Sequence, residues 1–287
     1  MRILVTENCN AKCSHCFNAS YRANKEIDLN TYRRLCEYLA LNKIQRVKIM
    51  GGEPTVHSSF EEIIAISQAH FESIIIFTNA LNDRILNIHP RSDDAIVYNF
   101  RYISSRFNKG KFLTDQPGRR RIEVQISSKT NIESIINRLL YFKDIPNLKI
   151  NLTLDCMEDV FENKYDLQRN FATVSNFINN NLERDYIIDH IIPSCLFEDF
   201  KTPDALCSIK CAGLIDSSLK LRYCNQFEKP LCDILDASGE FIPFDQIVSQ
   251  LKDGYEEKIS ISRSKRCNEC KYFLERCNGG CFVHKTL

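Results

Sequence analysis

The sequence predicts an α/β fold: parallel strands closed or partly closed into a barrel of (β/α)6 type, followed by a small cysteine-rich domain. Two observations carry this. Short β-branched runs alternate with helical patterns through the first two thirds of the 287 residues, and such alternation yields parallel strands joined by right-handed crossovers. From about Pro193 the alternation stops, and nine of the fourteen cysteines lie between Cys195 and Cys281. The division expected is therefore a barrel over 1–192 and a cysteine-rich domain over 193–287.

Element by element, strands are expected at 2–6 (RILVT), 46–50 (RVKIM), 73–77 (SIIIF), 95–100 (AIVYNF), 121–127 (RIEVQIS), 148–154 (LKINLTL) and 185–192 (DYIIDHII). That is one strand more than six. Between them, Asp28 or Asn30 can cap a helix that places Leu35, Leu39 and Ile44 on one face. The stretches SFEE (59–62) and TNIE (130–133) read as capping boxes, Ser or Thr followed three residues later by Glu. Residues 166–180 carry apolar side chains at helical spacing, whereas Arg101–Arg120 reads as an insertion rather than a helix.

Composition excludes several classes. Apolar residues make up 44% of the chain, enough for a sizeable core, yet no run approaches the roughly 18–20 apolar residues of a membrane span. Lys plus Arg number 38 against 37 Asp plus Glu, so bulk charge points to neither nucleic acid nor a membrane surface. The start of the chain shows no export signal. Fourteen cysteines then argue for reduced thiols and ligated metal in a cytoplasmic protein.

Cys9, Cys13 and Cys16 are spaced C-x3-C-x2-C directly after the first expected strand. Ligands of a parallel barrel gather at the C-terminal strand ends. Three thiolates cannot pair off as disulfides, and they fall one short of a closed zinc site. His15 is a poor fourth ligand, because it adjoins Cys16 and the two could hardly reach one tetrahedral ion. Iron–sulfur clusters are held by thiolates, usually four, so three leave one iron open to a small molecule. Further on, GGEP (Gly51, Gly52, Glu53, Pro54) follows the second expected strand. There the two glycines permit close backbone approach to a ligand, Glu53 can accept hydrogen bonds from an ammonium, and Pro54 stiffens the turn.

In that spacing and strand context the sequence resembles the radical S-adenosylmethionine (SAM) superfamily. The resemblance covers roughly residues 1–192 and is strongest in the first 80. It implies a partial (β/α)6-type TIM-like barrel, a [4Fe–4S] cluster on Cys9, Cys13 and Cys16, and SAM on the open iron, cleaved to methionine and a 5′-deoxyadenosyl radical. Where the family usually has an aromatic residue before the third cysteine, His15 stands and can stack on adenine. FTNA (77–80) resembles the end of the family's third strand, with Ala80 where Gly is common.

Near the C-terminus, Cys267, Cys270, Cys277 and Cys281 are spaced C-x2-C-x6-C-x3-C, which suits zinc or an iron–sulfur cluster. The run resembles the SPASM and shorter twitch domains that follow many radical SAM barrels, implying one or two auxiliary [4Fe–4S] clusters. It carries one residue more than the usual run, and in ASGEFIPF (237–244) Phe244 stands where that pattern has a cysteine. Cys211 and Cys224 are the next ligand candidates. Cys195 follows the last expected strand and is a candidate ligand or hydrogen-atom donor, with a packing role as its alternative.

The function expected is maturation of a peptide by oxidation, crosslinking or epimerisation. The substrate alternative is a sugar or aminocyclitol, and the alternative of another class is a non-catalytic iron–sulfur or zinc scaffold. An electron donor such as flavodoxin or ferredoxin is the expected partner.

Overall fold

The computed structural model describes residues 1–13, 16, 24–106, 118–155, 162–188, 213–224, 229–261, 267, 269 and 270. The chain divides into two units, Met1–Arg121 with Ile209–Gly254 and Ile122–Ser208 with Tyr255–Leu287.

The first unit opens with β1 (Arg2–Thr6), α1 (Leu29–Leu41), β2 (Arg46–Gly51), α2 (Phe60–His70), β3 (Ser73–Thr78), β4 (Ala95–Asn99) and α3 (Phe100–Arg106). β1 to β4 pair in parallel in chain order. Their β-branched residues fill the core, with Ile3, Val5, Val47, Ile49 and Ile74 wholly buried. Asp28 caps α1 by accepting the Thr31 N–H at 2.9 Å, and Tyr32, Leu35, Cys36 and Leu39 form the helix's buried face. Ser59 stands at the N-cap of α2, but its side chain makes no capping hydrogen bond; Glu61 and Glu62 supply the negative charge that the first turn favours. The expectation that Arg101–Arg120 lacks helix needs correction, since its first six residues belong to α3; 107–117 lie outside the described residues.

In the second unit, the greater part of β5 (Arg119–Ile126) is followed by α4 (Ile132–Leu139), β6 (Leu148–Leu154), α5 (Lys164–Asn181) and β7 (Tyr186–Ile188). β6 and β7 pair in parallel. Asn131, not Thr130, caps α4 by accepting the Ser134 N–H at 2.9 Å; the Thr130 hydroxyl instead accepts the Ser127 N–H at 2.7 Å.

Back in the first unit, β8 (Leu214–Ile215) pairs in parallel with β1 on the side away from β2. β9 (Lys220–Arg222) and β10 (Cys232–Asp233) follow as antiparallel strands, giving the order β10-β9-β8-β1-β2-β3-β4. Helix α6 (Phe244–Ile261) buries Ile247 and Leu251. Before it, a hairpin turn at Asp236–Glu240 docks on α1: Phe241 stacks on Tyr38 at 4.6 Å, and the Tyr38 hydroxyl donates to the Ile242 carbonyl at 2.8 Å. Among the described residues, no helix is long and apolar enough to cross a membrane.

Candidate functional site

At the end of β1 the chain leaves its strand and returns beside it. Val5 O accepts the Ile27 N–H at 3.0 Å and Lys25 O accepts the Glu7 N–H at 2.8 Å, so the base of the intervening loop is closed on the strand. Glu26 strengthens that closure. Its carboxylate accepts from the Asn8 amide at 3.3 Å, from the Ser58 N–H at 3.1 Å and from the Ser58 hydroxyl at 2.8 Å. Burial alone would push its carboxyl up, but these donors and His57 hold it below the usual value.

The loop so anchored carries Cys9, Cys13 and Cys16, none of them in a disulfide and all partly exposed. The Ala11 N–H donates to Cys9 Sγ at 3.4 Å, and the Cys16 N–H to Cys13 O at 3.3 Å. From the end of β3, the Asn79 amide donates to Asn10 Oδ1 at 2.8 Å and comes within 3.9 Å of Cys9 Sγ. From α3, the Tyr102 hydroxyl lies 2.9 Å from Cys13 Sγ. Burial first, and then the Cys13 contact, push that phenol up to about 12.

The turn after β2 packs directly on this strand exit. Gly52 N–H donates to Thr6 O and Glu53 N–H to Asn8 O, both at 2.8 Å. A Cβ on Gly52 would stand 2.6 Å from Glu7 O, with Asn8 O nearer still; one on Gly51 would stand 2.8 Å from Thr6 O. The sequence suggested that these glycines make room for a ligand. In the structure they make room for the chain itself, seating the exit of β1 against β2.

Glu53 is buried, 1% exposed, and its carboxylate is engaged within the protein. It accepts from the Thr55 N–H (3.2 Å), the Thr55 hydroxyl (2.7 Å), the Thr78 hydroxyl (2.7 Å) and the Asn79 N–H (2.6 Å). Burial pushes its carboxyl up against the pull of those donors. Glu53 thus ties the end of β2 to the end of β3. Pro54 opens a 3-10 turn, Pro54–Val56, that Glu53 caps. Ala80 takes a left-handed backbone, φ 57°, which explains why Gly suits this position.

The remaining candidates are scattered or undescribed. Cys224 and Cys232 are partly exposed in the first unit; burial raises the Cys232 thiol. In the second unit Cys267 is buried, and Cys270 turns back on it through an N–H···O bond of 3.2 Å. His15, Cys195, Cys211, Cys277 and Cys281 lie outside the described residues. Among the described residues, no three Cys, His, Asp or Glu side chains are drawn together as a metal site. Sequence reasoning missed Tyr102, Asn10 and Glu26. Tyr102 fell in the stretch read as an insertion, and the other two act through contacts that no local pattern encodes.

Residues 3–109 match the model of the Radical SAM superfamily. Molybdenum cofactor biosynthesis protein 1 of Drosophila melanogaster is 33% identical over 87 residues, 28% of this chain and 15% of that protein. The GTP 3′,8-cyclase of Chlorobaculum tepidum is 31% identical over 91 residues, 30% of this chain and 28% of that enzyme. The matched part therefore spans less than a third of either relative. Among solved structures, Streptococcus suis SuiB bound to its precursor peptide SuiA matches with a TM-score of 0.70 at 18% identity, over 98% of this chain and 71% of that one. That likeness shows the fold, an α/β partial barrel of TIM type. The family implies SAM and a [4Fe–4S] cluster. The donor types suit one, although their side chains are not drawn together in this structure: Cys9, Cys13 and Cys16 stand partly exposed, in no disulfide, on a loop closed at a C-terminal strand end, with an amide near the Cys9 sulfur and a phenol near that of Cys13.

Proposed function

We propose that this chain, which carries a radical SAM domain over residues 3–109, is a radical SAM enzyme that abstracts a hydrogen atom from a peptide during its maturation. In this reading Cys9, Cys13 and Cys16 hold the SAM-binding cluster, which supplies the electron that cleaves SAM to methionine and a 5′-deoxyadenosyl radical. The observation that carries it is the trio of cysteines, none in a disulfide, on the loop after β1, whose exit at Thr6 and Asn8 is bonded to the Gly51–Pro54 turn. In the apoprotein Glu53 serves to fix that turn, which leaves the backbone around Gly51 and Gly52 and the side chain of His15 as the candidate contacts for SAM.

Cys211, Cys224, Cys267, Cys270, Cys277 and Cys281 are the proposed ligands of one or two auxiliary [4Fe–4S] clusters in a SPASM- or twitch-like domain over 193–287. Cys195 is the proposed hydrogen-atom donor if the reaction is an epimerisation; oxidation or crosslinking needs none. The peptide reading draws on SuiB, whose solved structure holds a precursor peptide. A small-molecule substrate is the second reading, favoured by the match to the GTP 3′,8-cyclase. The proposed setting is the cytoplasm, with flavodoxin or ferredoxin as electron donor and no nucleic-acid or membrane partner.

The test is anaerobic reconstitution with iron and sulfide, iron counting, and a SAM cleavage assay with dithionite. Parent protein is compared with a Cys9/Cys13/Cys16→Ala variant. About eight to twelve irons, as two or three cubanes require, together with 5′-deoxyadenosine that the variant does not release, supports the reading. Bound zinc, or no 5′-deoxyadenosine from iron-loaded protein, favours a scaffold instead.

A further inference from the structure

We infer that Tyr102 is a positioning residue for the cluster proposed on Cys9, Cys13 and Cys16: its hydroxyl donates a hydrogen bond to the Cys13 sulfur and makes the cluster easier to reduce. This rests on the assignment of Cys13 as an iron ligand.

The Tyr102 oxygen and Cys13 Sγ are 2.9 Å apart, well within the range of a hydrogen bond to sulfur. In the free protein either atom can be the donor. A thiolate bound to iron has no proton to give, whereas a phenol at neutral pH still has one, so ligation fixes the direction as O–H···S. A donor aimed at a ligand sulfur stabilises the state with more negative charge, which is the reduced cluster, and hydrogen bonds to the sulfurs are among the factors that set such potentials.

The fold gives this contact a fixed origin. Tyr102 stands in the first turn of α3, which begins directly after the last residue of β4. β4 is paired with β3 from Ala95 to Tyr98, and Phe100 and Ile103 are buried on either side of Tyr102. The hydroxyl is therefore carried to the cysteine loop by the barrel wall, not by the loop. The Asn79 amide, 3.9 Å from Cys9 Sγ at the end of β3, is a weaker companion on a second ligand.

The experiment is a redox titration of the reconstituted holoprotein followed by electron paramagnetic resonance. The signal to follow is the one absent from the Cys9/Cys13/Cys16→Ala variant. Tyr102→Phe keeps the ring and removes the hydroxyl. It should load as much iron as the parent and shift the midpoint negative. At a fixed potential its reduced-to-oxidised ratio should fall roughly three- to tenfold, the tenfold end being about 59 mV for one electron. Replacing Tyr102 with 3-fluorotyrosine, a stronger donor that preserves the contact, should shift the midpoint the other way, and it serves if the Phe variant loads poorly. Equal midpoints in the parent and fluorotyrosine proteins, or in the parent and a fully loaded Tyr102→Phe, would overturn the inference. If instead the triple Ala variant keeps all the parent's iron, the ligand assignment itself fails.

Discussion

A methyl group at position 52 would have to sit 2.6 Å from Glu7 O in a place already occupied by the exit of β1. Neither backbone can yield without breaking the Gly52 N–H···Thr6 O and Glu53 N–H···Asn8 O bonds. Gly52→Ala should therefore cost about 1–3 kcal/mol, typical of overpacking, and lower the iron retained after reconstitution; urea unfolding and iron analysis read both. Glu53 allows a sharper distinction. With both carboxylate oxygens directed at protein donors, Glu53→Gln places an NH2 group against an N–H or hydroxyl. The apoprotein should lose about 1–3 kcal/mol, the cost of an unsatisfied buried group, before any SAM is added. Unchanged apoprotein stability with weakened SAM binding would return the carboxylate to the ligand. The thiols and the Gly51–Pro54 turn were legible because short spacing encodes them. The use of Glu53 was not, because its partners Thr78 and Asn79 lie 25 and 26 residues away.

Strands were the most legible elements. β6 has the limits expected from LKINLTL, and β1 those of RILVT, because buried parallel strands are near-continuous apolar runs. Helix starts were harder to read. At 130–133 two neighbouring residues can each cap, and the chain uses Asn131 while Thr130 stabilises the preceding turn. α3 is only seven residues long, too short for a periodic signal. An anchor at the start of β4 escaped notice for the same reason as Glu53. The wholly buried Asp94 accepts from the Ile74 N–H at 2.9 Å, the Gln68 amide at 2.9 Å, and the Arg91 N–H and guanidinium. Burial would raise its carboxyl, but Arg91 and these amides outweigh it and hold the group below its ordinary 3.8. A depressed folded value means that the stabilisation is complete above 3.8 and is lost as pH falls through the folded value. Asp94→Asn should cost about 1.5–3 kcal/mol at neutral pH, the range for hydrogen bonds to a charged group. The deficit should shrink only below pH 3.8, a window that urea melts at stepped pH would reveal.

On the scale of the whole molecule, cysteine content and sheet pairing divide the chain differently. Judged by its cysteines, the sequence breaks near Pro193. Judged by hydrogen bonds, residues 213–222 continue the sheet of residues 2–99: Arg2 N–H donates to Gly213 O at 3.1 Å, and Leu214 and Ile215 pair with Arg2 and Ile3. The turn at 236–240 adds the Phe241–Tyr38 stack and the Arg34 bond to Gly239 O at 3.0 Å. A fragment ending at residue 192 would leave β1 as a bare edge and expose the faces that α1 and β1 turn to these segments. Unpaired edges of that kind recruit other chains. A fragment ending at 262 would keep them covered while removing the run from Cys267 to Cys281. The shorter fragment should therefore aggregate or unfold without a cooperative transition, and the longer one should stay monodisperse and melt cooperatively. Size-exclusion chromatography and thermal circular dichroism on the two, prepared without iron, decide it. A monodisperse, cooperatively melting 1–192 would mean that the strands after 213 are an addition to a self-sufficient barrel. The expected failure would mean that the barrel needs them as its own edge, so that the cysteine-rich region is partly built into the unit that presents Cys9, Cys13 and Cys16.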